Sequence, residues 1–125
     1  CMVRGTLWDT GRGHPAMTAA GDPAAGIVVG ELWVLKDPAA ALAALDAFEG
    51  VVPGDDAASE YLRVSTQCLG PGLQPEGEPV WVYVWNRPTD GMEKVPGGDW
   101  RANAGAHARP GRAGDRRRPR PGRRR

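Results

Sequence analysis

Along residues 3–9, VRGTLWD, Val3, Gly5 and Leu7 alternate with Arg4, Thr6 and Trp8, the period of two of a strand lying on a core. Gly11, Gly13 and Pro15 break the pattern, and GDPAAG supplies turn chemistry before the next apolar run. That run, IVVGELWVL at 27–35, is β-branched and aromatic with apolar groups on both faces, which predicts a central strand covered on both sides. The period then changes. Asp37 suits an N-cap, Pro38 the first helical position, and Leu42, Leu45 and Phe48 recur every three residues, predicting a helix of about three turns that ends at Gly50. YLRVSTQCL at 61–69 alternates again, and in VWVYVWN Val80, Val82 and Val84 face opposite to Trp81, Tyr83 and Trp85. Large apolar groups on both faces imply a curled or closed sheet with a helix packed on one side. The predicted fold is therefore α+β, a small mixed β-barrel with one main flanking helix over residues 1–101.

Composition sharpens this picture at the C-terminal end. Residues 1–100 carry six basic and fourteen acidic side chains, a net of −8, whereas residues 101–125 carry ten arginines against Asp115, a net of +9. From Ala102 onward there is no Leu, Ile, Val, Phe, Trp or Tyr, too little apolar surface to offset the entropy of ordering a backbone. Residues 102–125 are expected to be a disordered Arg/Pro/Gly-rich tail, the only segment whose chemistry suits nucleic acid. Cys1 and Cys68 fit no metal-ligand spacing and are too sparse for a disulfide framework, so two ordinary thiols are expected. Glu31 interrupts the longest apolar stretch and the N-terminus lacks a signal-like pattern, so no membrane contact and a cytoplasmic location are expected.

Few residues suit catalysis. His14 and His107 are too few for a metal site, Ser59 and Ser65 stand in no nucleophile elbow, and GRG at 11–13 lacks the rest of a dinucleotide loop. No metal and no cofactor are expected. LDAFEG at 45–50 is different. Asp46 and Glu49 share a helix face three residues apart, in the last turn, where the macrodipole favours cations. Stability alone would place Lys or Arg there. A carboxyl group so placed suits a task that requires it both to accept and to donate a proton near neutral pH.

VRGTLWDTGRGHPAM, VVGELWVL, LAALDAFEGV, EYLRV, VWVYVWNRP and VPGGDWR, in this order across residues 3–101, together resemble the γ-glutamylcyclotransferase-like superfamily, also called AIG2-like. The resemblance implies a small barrel with flanking helices and a cavity whose acid/base glutamate follows an LD-x-x-E-G pattern, here ending in Glu49 and Gly50. It also implies that Tyr61 lines the substrate pocket; Tyr83 is the second substrate-binding candidate. Gly97–Arg101 matches the closing segment, with Gly98 at or beside a serine position. The family's opening strand and its Y-G-[ST]-L loop have no counterpart, since RGTL at 4–7 belongs to a later strand; the chain is expected to begin inside the domain and to lack that substrate grip.

The implied reaction converts a γ-glutamyl amine or peptide, the expected small-molecule partner, into 5-oxoproline and the free amine. Nucleophile and electrophile belong to one molecule, so proximity comes largely from the substrate. Glu49 would serve both proton transfers. Two rival readings are a non-catalytic module that binds a metabolite and a tail that binds nucleic acid or an acidic partner.

Overall fold

The computed structural model describes residues 1–21 and 25–107. Strand β1 (Met2–Asp9) pairs with β2 (Pro15–Thr18), β3 (Gly26–Val29) and β6 (Glu93–Lys94), all antiparallel. Helix α1 (Pro38–Phe48) follows β3, and β4 (Tyr61–Leu69) and β5 (Pro75–Trp85) form a separate antiparallel hairpin. Helix α2 (Trp100–His107) closes the described chain. The alternation read in β1 holds at Val3 and Leu7, which are buried with Met17, Val28 and Val95 with Val82 of β5 packed against them, but not at Thr6, which is buried as well. The other face of the hairpin carries Tyr61 and Tyr83, which cluster with Ala16 of β2 and pack against Leu45, Val51 and Trp85. One face of the hairpin thus meets the β1 cluster, and the other meets Ala16 of β2 together with Leu45 at the end of α1.

This arrangement corrects the expected barrel. Among the described residues the two sheets are not hydrogen-bonded into a closed cylinder, and the ladders are antiparallel apart from a lone parallel bridge between Val29 and Asp99. The reason lies in β3, which is four residues long rather than the nine of the apolar run. At the end of the β1–β3 ladder the Cys1 amino and carbonyl groups exchange hydrogen bonds with Gly30 at 3.0 and 2.8 Å. Among the described residues no strand pairs with residues 31–35, and Leu32, Trp33 and Val34 stand exposed, Val34 at 92%. Strand propensity cannot substitute for a missing hydrogen-bond partner.

Two further expectations change. Cys1 and Cys68 form a disulfide between Cα atoms 5.6 Å apart. Packing of β1 on β4 makes neighbours of residues 67 positions apart, which spacing arguments cannot detect. Residues 102–107, assigned to the tail, belong to α2; the remaining tail expectation, residues 108–125, lies outside the described residues. No helix of the described residues is long and apolar enough to cross a membrane.

The closing segment owes its form to backbone geometry. Val95 enters the core, Gly97 and Gly98 take positive φ, and Asp99 Oδ1 accepts the Ala102 N–H at 3.2 Å to cap α2. Asn103 Nδ2 donates to the carbonyls of Pro96 and Asp99, both at 2.9 Å. Arg101 forms an ion pair with Glu31.

Candidate functional site

Helix α1 begins as its sequence predicts, with Asp37 Oδ1 accepting the Ala40 N–H at 3.3 Å and Pro38 in the first turn. Its end is more informative. Glu49 is the C-cap, Gly50 follows with φ of 73°, and two hydrogen bonds close the turn: Val51 N–H to the Asp46 carbonyl at 2.9 Å and Gly50 N–H to the Ala47 carbonyl at 3.3 Å. This is a Schellman arrangement, in which the left-handed residue lets the chain fold back and satisfy the last helical carbonyls. Gly50 is needed for its φ, and a Cβ there would also crowd the Glu60 Cβ at 3.2 Å. The fold-back directs Val51 toward the Tyr61 and Tyr83 cluster and leaves Glu49 only 3% exposed.

The loop after Val51 is held by side chains that pattern reading overlooked. Ser59 Oγ is fully buried, accepting the Val52 N–H at 2.8 Å and donating to the Asp55 carbonyl at 2.9 Å. Asn86 Nδ2 and Arg87 Nη1 both donate to the Ser59 carbonyl, at 2.9 and 2.6 Å, and Arg87 Nη2 reaches the Ala58 carbonyl at 3.1 Å. The Asn-Arg pair closing β5 therefore fixes the loop that leads from Glu49 into β4.

Asp46, one turn before Glu49, is clamped by the hairpin. Arg63 Nε donates to Asp46 Oδ1 at 2.8 Å and Nη2 to Oδ2 at 3.2 Å, a two-pronged guanidinium–carboxylate contact. The Tyr83 hydroxyl donates to Oδ1 at 2.5 Å. Arg63 and Tyr83 are direct cross-strand partners, so one register step of the hairpin delivers both donors to one carboxylate. Burial first, and then the bond to Asp46, push the Tyr83 phenol well above its ordinary range. Arg63 also stacks over the Trp81 ring, 4.4 Å from its centroid, and Tyr61 meets Trp85 edge-on at 5.2 Å.

The spacing in LDAFEG left Asp46 and Glu49 as an unrelieved pair of like charges; in the structure Asp46 has its own cation. Arg63 was legible as the lone cation on the Tyr61 face of β4, but pairing it with Asp46 requires the tertiary contact. Of the expected site residues, Glu49, Tyr61 and Tyr83 converge on this corner, all nearly buried. A groove of about 250 Å³ opens beside it, bounded by Asp46, Val51, Asp56, Arg63 and Trp81. A second, of about 330 Å³, lies between Arg4 and the far half of the hairpin. Glu49 lines neither.

A family model described as gamma-glutamyl cyclotransferase, AIG2-like, matches residues 1–102, so the chain belongs to that family. No curated protein and no solved structure is significantly similar to it.

Proposed function

We propose that the chain is a γ-glutamylcyclotransferase in which Glu49 carries the protons. The supporting observation is a carboxyl group held by a Schellman turn in a nearly buried corner of a protein of this family. The substrate is a γ-glutamyl amine. Its α-ammonium gives a proton to Glu49, and the freed amine attacks the γ-carbonyl carbon to close a five-membered ring. The bond from that carbon to the departing nitrogen then breaks as Glu49 returns the proton to that nitrogen, and the second proton of the ring nitrogen passes to the released amine, leaving 5-oxoproline and an ammonium. One carboxyl group acting as base and then acid conserves protons over the cycle. Tyr61 and Tyr83 form the wall against which the glutamyl portion lies. No residue here is assigned to a metal or cofactor. The setting is a cytoplasm, where thiols are kept reduced and the Cys1–Cys68 bond is expected to open.

One observation favours a second reading, a module that binds a γ-glutamyl compound without consuming it: Glu49 lines neither groove. The two separate in one experiment on the full chain, incubation with a panel of γ-glutamyl amines while 5-oxoproline and free amine are quantified. The enzyme reading predicts equal amounts of both products. Binding by calorimetry without products supports the module, and release of glutamate in place of 5-oxoproline contradicts cyclisation.

A further inference from the structure

Helix α1 is weakly attached for an element asked to hold a reacting group. None of its residues is fully buried, and Phe48, on the face expected to point inward, is 47% exposed. Burial of Leu45 against the tyrosine cluster and the polar clamp on Asp46 are what tie its last turn to the hairpin. Asp46 is joined to the Glu49 corner twice, through its side chain to Arg63 and Tyr83 and through its carbonyl to the Val51 N–H. Its carboxylate is also three residues from Glu49, close enough for each charge to act on the other.

We propose that Arg63 is a positioning residue for Glu49: by forking onto Asp46 it fixes the last turn of α1 and offsets the Asp46 charge on that turn. This rests on the reading of Glu49 as the proton carrier, but it assigns a separate task to a residue that takes no part in proton transfer. The groups around Glu49 are consistent with Arg63 setting the local balance. Asp46 lies on α1, Tyr61 and Arg63 come from β4, Tyr83 from β5, and Glu60 lies beside Gly50; β2 contributes only uncharged Ala16. The Tyr83 phenol, bonded to Asp46, senses Asp46, Arg63 and Glu49. The clamp is about three-quarters shielded from solvent on both sides, so it is weakened but not abolished by salt.

The test is a ¹³C NMR titration of the Glu49 carboxyl in the full chain, its resonance assigned by its loss in Glu49→Gln. Arg63→Met removes the cation and should move the Glu49 midpoint upward by about half a unit to one unit. Asp46→Asn leaves Arg63 unopposed and should move it downward, and the double variant should return it close to the parent value. Arg63→Lys keeps the charge but not the fork: the midpoint should stay near the parent while kcat falls more than KM changes. If Arg63→Met does not fold, Asp46→Asn and Arg63→Lys carry the same test. A Glu49 midpoint indifferent to all of these overturns the proposal. The readout does not depend on turnover, so loss of coupling and failure of Glu49 as proton carrier remain distinct results.

Discussion

Two adjacent glycines show how differently single residues can be constrained. Gly97 and Gly98 have φ of 70° and 64°, but only at Gly98 would a Cβ meet backbone, 1.8 Å from the Ile27 carbonyl oxygen. Gly97→Ala should cost about 1–2 kcal/mol, the ordinary penalty of a left-handed residue. Gly98→Ala should cost above about 3 kcal/mol, because β3 and the closing segment must separate. Urea midpoints check this pair, and equal losses would contradict it. Tyr83 gives a pH signature of its own. Its folded-state phenol is raised from the usual 10.0, so its contribution is complete below about pH 10 and fades as pH climbs from there toward the folded value, because the unfolded chain sheds the proton first. Absorbance titration should therefore show a phenol that ionises only at strongly alkaline pH, and Tyr83→Phe should abolish that step. Persistence of the step in the variant would place the protected phenol elsewhere.

Among the elements, β4 and α1 were legible from the chain and β3 was not. Residues 61–69 alternate cleanly and emerge as β4 with those bounds, and the Asp37-Pro38 start and Gly50 stop enclose α1. These signals are local: a cap, a fixed φ, a period. The length of β3 follows its pairing with β1, from Gly5↔Gly26 to Met2↔Val29, which no local pattern records. The Cys1–Cys68 bond is non-local in the same way, linking the start of β1 to β4 beside the register shift at Gln67/Leu69. Closing a loop of that size contributes about 4 kcal/mol in the chain-entropy account. Thermal unfolding should thus shift downward on adding reductant to the parent chain and not in Cys68→Ser, whose transition should match the reduced parent. Identical transitions of parent and variant without reductant would contradict the cross-link.

For the molecule as a whole, sequence patterning identified an α+β domain but closed the sheet too far. Apolar residues on both faces of β5 implied a closed barrel, whereas one face meets the β1 cluster, the other meets Ala16 of β2 and Leu45 of α1, and Trp81 remains more than half exposed. Two-sided apolarity records that both faces are used, not that the sheet closes. Glu49 was singled out from sequence because its position opposes helix electrostatics. Its supporting clamp was not, because Asp46, Arg63 and Tyr83 meet only after the hairpin packs on the helix. The most direct measurement of the functional claim is 5-oxoproline formation by Glu49→Gln beside the parent chain on a γ-glutamyl amine that the parent consumes, with substrate affinity measured for both. The expected result is turnover lower by about 100-fold or more with affinity largely kept. Undiminished turnover in the variant would contradict it.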